Sequence, residues 1–195
     1  MAIHYLVILG AIVSLFGTYI YIRDTLRGQT KPNLVSWVLW AVAPMIASAA
    51  AFSAGIRWAV LPTFMVGFVP ILVIIAALIK HKAIWRPTTF DYICGGLSVM
   101  ALVLWIITKE PNLAIIFSIF SDGLAALPTI RKSWLFPDTE SGIVYTTGLF
   151  NMLTTIAALQ FYTFSELAFP IYIVAVNLVI IFAIYRRRIF RLDIR

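Results

Sequence analysis

Asp122 is the one acidic residue set well inside a long apolar run, between Phe120-Ser121 and Gly123-Leu124. A carboxylate at that depth in hydrocarbon costs about 3 kcal/mol or more, so it is expected to face a bundle interior or a wet cavity. Desolvation there favours the neutral acid, which binds a proton or donates a hydrogen bond. Arg131 lies nine residues further along, roughly 13 Å up a helix axis and too far for a salt bridge within the helix. The competing reading is a structural carboxyl bonded to Ser118, Ser121 or a neighbouring helix.

Amides, hydroxyls and rings could act with it. Thr147, Asn151, Thr154 and Thr155 recur at the i, i+3/i+4 spacing of one helical face. That face is expected to point inward, either lining a pathway or joining helices by hydrogen bonds. Asn177, flanked by Val176 and Leu178, needs a partner in an otherwise apolar run. Trp37 and Trp40 share a face, and aromatic walls with a few placed polar groups make small-molecule pockets. Trp37 falls near the expected membrane edge and reads as an interfacial belt residue, as do Trp58, Trp85, Trp105 and Trp134. Trp40 is left as the pocket wall. The candidate substrate site is therefore Asp122, Asn177, Asn151 and Trp40, with Asp122 also the proton-coupling group.

Helices in lipid must position these residues. A chain that is 62% hydrophobic and 12% charged has too few polar groups to cover a soluble surface of this size. A bilayer core needs roughly 20 apolar residues per helix, and barrel strands would show alternation instead. The uninterrupted runs give seven expected spans: Ile3–Ile22, Asn33–Phe52, Ala59–Ile79, Tyr92–Ile107, Asn112–Ile130, Ile143–Phe161 and Ala168–Tyr185. The fourth is the shortest. The connections leave no room for a soluble domain, so function is expected to reside in the bundle.

Thirteen of the 15 Lys and Arg residues fall in alternate connections and the tail, against only Arg57 and Lys109 on the other side. Basic residues near span ends stay cytoplasmic, so the N-terminus is expected outside and the C-terminus inside. The first run lacks a basic n-region and is expected to be a retained helix rather than a signal peptide. The asymmetry accounts for the net charge of +7 without a nucleic-acid partner, and sets the basic face against anionic headgroups. A plasma or inner membrane is the expected location.

Enzyme chemistry finds little material. His4 and His81 fall near opposite membrane faces, and there is no HExxH, CxxC or glycine-rich phosphate loop. No metal, cofactor or nucleophilic triad is expected, and the chain does not read as an enzyme. The seventh segment has no lysine, which excludes a retinal Schiff base. Cys94, the single cysteine, is expected to be a small packing residue.

Segments five to seven repeat segments one to three at an offset of about 108 residues. Ile22-Arg23 falls on Ile130-Arg131, Trp37 on Tyr145, Pro62 on Pro170 and Lys80 on Arg188. The expected plan is 1–82 as a first three-helix repeat, 83–109 as a linker helix and 110–195 as a second repeat with a basic tail. Parallel repeats of this kind build carriers around a central site. Pro62 and Pro170 are expected to begin their helices, whereas Pro44, Pro70 and Pro128 interrupt theirs and are hinge candidates.

The run Leu127-Pro128-Thr129-Ile130-Arg131-Lys132-Ser133, followed by Pro137 through Ser141 and another apolar run, resembles the motif of PQ-loop and SWEET-like membrane proteins. Thr129 stands where that family carries glutamine. The resemblance implies an all-α, three-plus-one-plus-three bundle that moves sugars as a uniporter, or amino acids and related metabolites with protons. It also implies paired asparagines from the third helix of each repeat, where Asn177 matches one and Val69 stands at the other. The expected function is an alternating-access carrier of a small polar solute, monomeric or oligomeric. A non-transporting receptor, scaffold or accessory subunit on the same bundle is the alternative.

Overall fold

The computed structural model describes residues 2–53, 61–80, 84–108, 110–159 and 161–190. Seven helices are found among them: α1 (Ala2–Leu26), α2 (Leu34–Ser53), α3 (Leu61–Ile79), α4 (Thr89–Ile107), α5 (Pro111–Leu135), α6 (Ile143–Ala157) and α7 (Phe164–Ile189). There are no strands among the described residues. Trp58 and His81 lie outside the described residues.

Local chemistry sets the ends. The α1 turn closes at Gly28, whose φ of 75° suits a residue without a Cβ. Asn33 starts α2, its Oδ1 accepting the Val35 N–H at 3.1 Å. Thr88 and Asp91 form a capping box at α4, and Pro111 occupies the first turn of α5.

Several expected limits move. Helix α5 continues beyond Ile130 to Leu135, so Arg131 and Lys132 are helical rather than connecting residues. Helix α7 begins at Phe164, which leaves Pro170 inside it instead of initiating it. The shortest helix is α6, at 15 residues, rather than α4, at 19. Its last turn is tight: the Thr154 and Thr155 hydroxyls both donate to the Asn151 carbonyl, and Ala158 N–H bonds Thr155 O. Pro44, Pro70 and Pro128 do interrupt α2, α3 and α5.

The most extensively packed helix pairs are α1 with α6, α4 with α5, and α2 with α3; α5 and α6 each pack on α7, α1 on α3, and α2 on α5 and α4. Contacts along the helices set their directions: Gly10 and Gly17 of α1 meet Thr154 and Thr147 of α6, Gly142 and Gly148 at the start of α6 meet Tyr185 and Asn177 of α7, Gly28 after α1 faces Lys80 after α3, and Arg131 late in α5 reaches Thr88 at the start of α4. The ends of α1, α3, α5 and α7 therefore gather with the starts of α2, α4 and α6. Arg23, Arg131, Lys132 and Arg186 through Arg188 share that end.

Outer faces are apolar, with Phe16 and Tyr19 of α1, Met100 of α4 and Phe120 of α5 more than half exposed. Inner faces carry hydroxyls, among them Thr18, Ser36, Ser98, Ser121, Thr129 and Thr154. This inverts the soluble pattern and is compatible with a membrane protein. Tyr5–Leu26, Thr89–Ile107 and Glu166–Ile189 are long and apolar enough to cross a membrane, and Leu34–Ala49, Phe64–Ile79 and Ile143–Ala157 are shorter apolar stretches.

Candidate functional site

Asp122 finds its partner on another helix. The Tyr172 hydroxyl of α7 donates to Asp122 Oδ2 at 2.7 Å, and the Tyr172 ring leans on Phe169 at 5.8 Å. Gly123 lies beside the Tyr172 ring, where a Cβ would come into ordinary contact with the hydroxyl at 3.5 Å. Neither Ser118 nor Ser121 serves Asp122. Ser118 donates to Ile115 O at 2.8 Å, and Ser121 is committed to Ser98 of α4 through reciprocal bonds of 2.6 to 3.1 Å. Arg131 is turned to Thr88 Oγ1 at 3.3 Å, away from Asp122.

The other three expected site residues lie in separate contacts. Asn177 donates to Ile173 O within α7 at 2.9 Å and lies beside Gly148 of α6. Asn151 lies against Gly10 of α1, and the Thr147 and Thr154 hydroxyls lie against Gly17 and Gly10. The polar face of α6 therefore points inward and seats α1. Trp40 packs edge to face on Trp37, with ring centroids 5.3 Å apart. It joins the Tyr21, Trp37 and Val73 core to that of Tyr145, Ile180 and Ile184. Trp37 is 3% exposed, a core residue rather than the expected belt residue, because α1 and α3 close over its ring.

The densest polar cluster was not expected. Lys132 and Glu140 form an ion pair with side chains 1% and 0% exposed. Tyr21 Oη donates to Glu140 Oε1 at 2.6 Å and Tyr145 Oη to the same oxygen at 3.4 Å. Lys132 also donates to the Lys31 carbonyl, while Lys31 N–H bonds Thr139 O at 2.9 Å. A short 3-10 turn, Pro137–Thr139, delivers Glu140 into the bundle. The cluster ties α1, α5, α6 and the α1–α2 connection together at the basic end. Lys132 lies beyond the expected span limit at Ile130; burial pulls its ammonium below the ordinary lysine range, and the Glu140 carboxylate pulls it back up.

Sequence reading missed this cluster for a physical reason. Lys132 counts as a surface cation in any charge tally, and Glu140 falls in a connection, where a carboxylate is ordinary. The available signal was Pro137, which fixes a turn just before Glu140.

Beside the cluster, Asp91 accepts from the Thr88 backbone and hydroxyl and from Asn33 Nδ2 at 3.3 Å, joining the starts of α4 and α2. Two clefts open on the α4–α5 side of this end, one of about 270 Å3 bordered by Trp85, Thr88 and Lys132 and one of about 480 Å3 bordered by Leu127, Ile130 and Trp134. Compared with protein-family models, curated proteins and solved structures, the chain matches none.

Proposed function

We propose that the chain is a seven-span membrane carrier of the PQ-loop and SWEET-like kind that moves a small polar solute, a sugar or related metabolite, by alternating access. Residues 1–82 and 110–195 are the two rocking units, and 83–109 carry the linker span. The N-terminus lies outside and the basic C-terminus inside, in a plasma or inner membrane.

The packing pattern carries this reading. Exchanging α1, α2 and α3 for α5, α6 and α7 turns the α1–α3 contact into α5–α7, α2–α3 into α6–α7, and α1–α6 into α2–α5, all of which are made. Helix α4 has no counterpart in that exchange. At the 108-residue offset, Tyr21 of α1 and its equivalent Thr129 of α5 each bond across the unit boundary, to Glu140 and to Ser36 of α2 at 2.9 Å, partners that are not themselves equivalent. Rocking two such units about their shared boundary opens one end as it closes the other.

In this arrangement the Lys132–Glu140 cluster acts as the inner seal, and Trp40 lies where the unit cores meet. Asp122, with Tyr172 as its donor, is the proton-linked group. Asn177 and Asn151 need only turn their amides off the helix contacts to meet a solute.

Purified protein in proteoliposomes tests the proposal, with labelled mono- and disaccharides and neutral amino acids offered with and without a proton gradient. Saturable uptake of one class is expected. Folded protein that moves no solute of either class favours the receptor or accessory-subunit alternative.

A further inference from the structure

The two clefts of the basic end adjoin on the outer side of α4 and α5 and share Arg131 and Leu135. Their chemistry differs. Apart from Arg131, the larger cleft is wholly apolar, with Phe90, Leu127, Ile130 and Trp134 as its walls. Arg131 is exposed at the junction. Its guanidinium rests 5.0 Å from the centroid of the Phe90 ring, and one N–H reaches Thr88 Oγ1 at 3.3 Å. Among the described residues no carboxylate pairs with it at 4 Å or less. The acid nearest in the network, Asp91, is buried and engaged by Thr88 and Asn33.

A fixed guanidinium at the head of an apolar trough matches one ligand class, an anionic group carried on a hydrocarbon chain. We propose that this trough binds one anionic phospholipid, with its phosphate on Arg131 and an acyl chain along Leu127, Ile130 and Trp134. The proposal rests on the membrane reading above. A guanidinium fork suits two phosphate oxygens at once. The Phe90 ring and the Thr88 hydroxyl hold the fork in place, so little side-chain freedom is lost on binding. Arg186, stacked 4.3 Å from the Trp134 ring, adds positive field at the same membrane surface.

Native mass spectrometry of the full chain, released from micelles containing phosphatidylglycerol or phosphatidylcholine, tests the site. Wild type is expected to retain phosphatidylglycerol about fivefold better, the factor of one basic residue near an anionic headgroup. Arg131→Gln should remove that preference. Leu127→Trp, which fills the trough and keeps the cation, should lower retention by a similar factor. Arg23→Gln removes an equal charge from α1, where Arg23 pairs with Asp24, and should leave the preference intact. Equal retention of both lipids by wild type, or a preference that survives Arg131→Gln or is lost equally in Arg23→Gln, overturns the site. Failure of the membrane reading shows separately, as wild-type protein that does not float with phosphatidylcholine vesicles.

Discussion

Asp122, half-buried on α5, and the buried Glu140 carry different chemistry, and single substitutions separate them. Among the described residues Asp122 has one hydroxyl donor and no cation, so an amide in its place keeps hydrogen-bonding capacity and removes only the proton. Asp122→Asn is expected to preserve the thermal transition while flattening the pH dependence of solute flux in proteoliposomes. An unchanged pH profile would sink proton coupling through this residue. Glu140 instead answers a buried ammonium, and removing one partner strands the other. Lys132→Met is expected to cost about 3–5 kcal/mol, with the double change Lys132→Met, Glu140→Leu recovering most of it. Unfolding of the four species in detergent measures the coupling; additive losses would show that the pair is not an energetic unit.

Helix positions were legible because each apolar run is long enough to satisfy its own backbone, as α2 over Leu34–Ser53 illustrates. Helix partners were not, because a residue such as Tyr172 or Gly17 looks like any other span residue until its neighbour is known. The close approach of α1 to α6 depends on glycine. A Cβ at Gly17 would overlap the Thr147 hydroxyl, whereas one at Gly96 of α4 would meet nothing within 4 Å. Gly17→Val is therefore expected to destabilise by about 1–3 kcal/mol, and Gly96→Ala to be neutral or to stabilise by up to about 1 kcal/mol. Thermal unfolding in detergent decides; equal effects at the two sites would argue against tight α1–α6 packing. The candidate site was legible only in part: Asp122 stood out through its charge, whereas its partner and the Glu140 cluster depend on contacts between helices far apart in sequence.

At the scale of the molecule, alternate helix directions gather the described basic residues at one end, and which side of a membrane that end faces is open to test. Impermeant cysteine labelling in a Cys94→Ser background is expected to find residue 1 outside, and residues 27 and 195 inside. Both termini on one side would defeat the seven-span proposal. The packing of α1 on α6 has a further consequence for biogenesis. In a chain inserted helix by helix, α1 leaves the ribosome about 130 residues before the end of α6, a gap of roughly ten seconds at about 5–20 residues per second. If the helices insert in order, as the membrane proposal has it, the Gly10 and Gly17 face of the first helix waits throughout that interval for the α6 face that covers it.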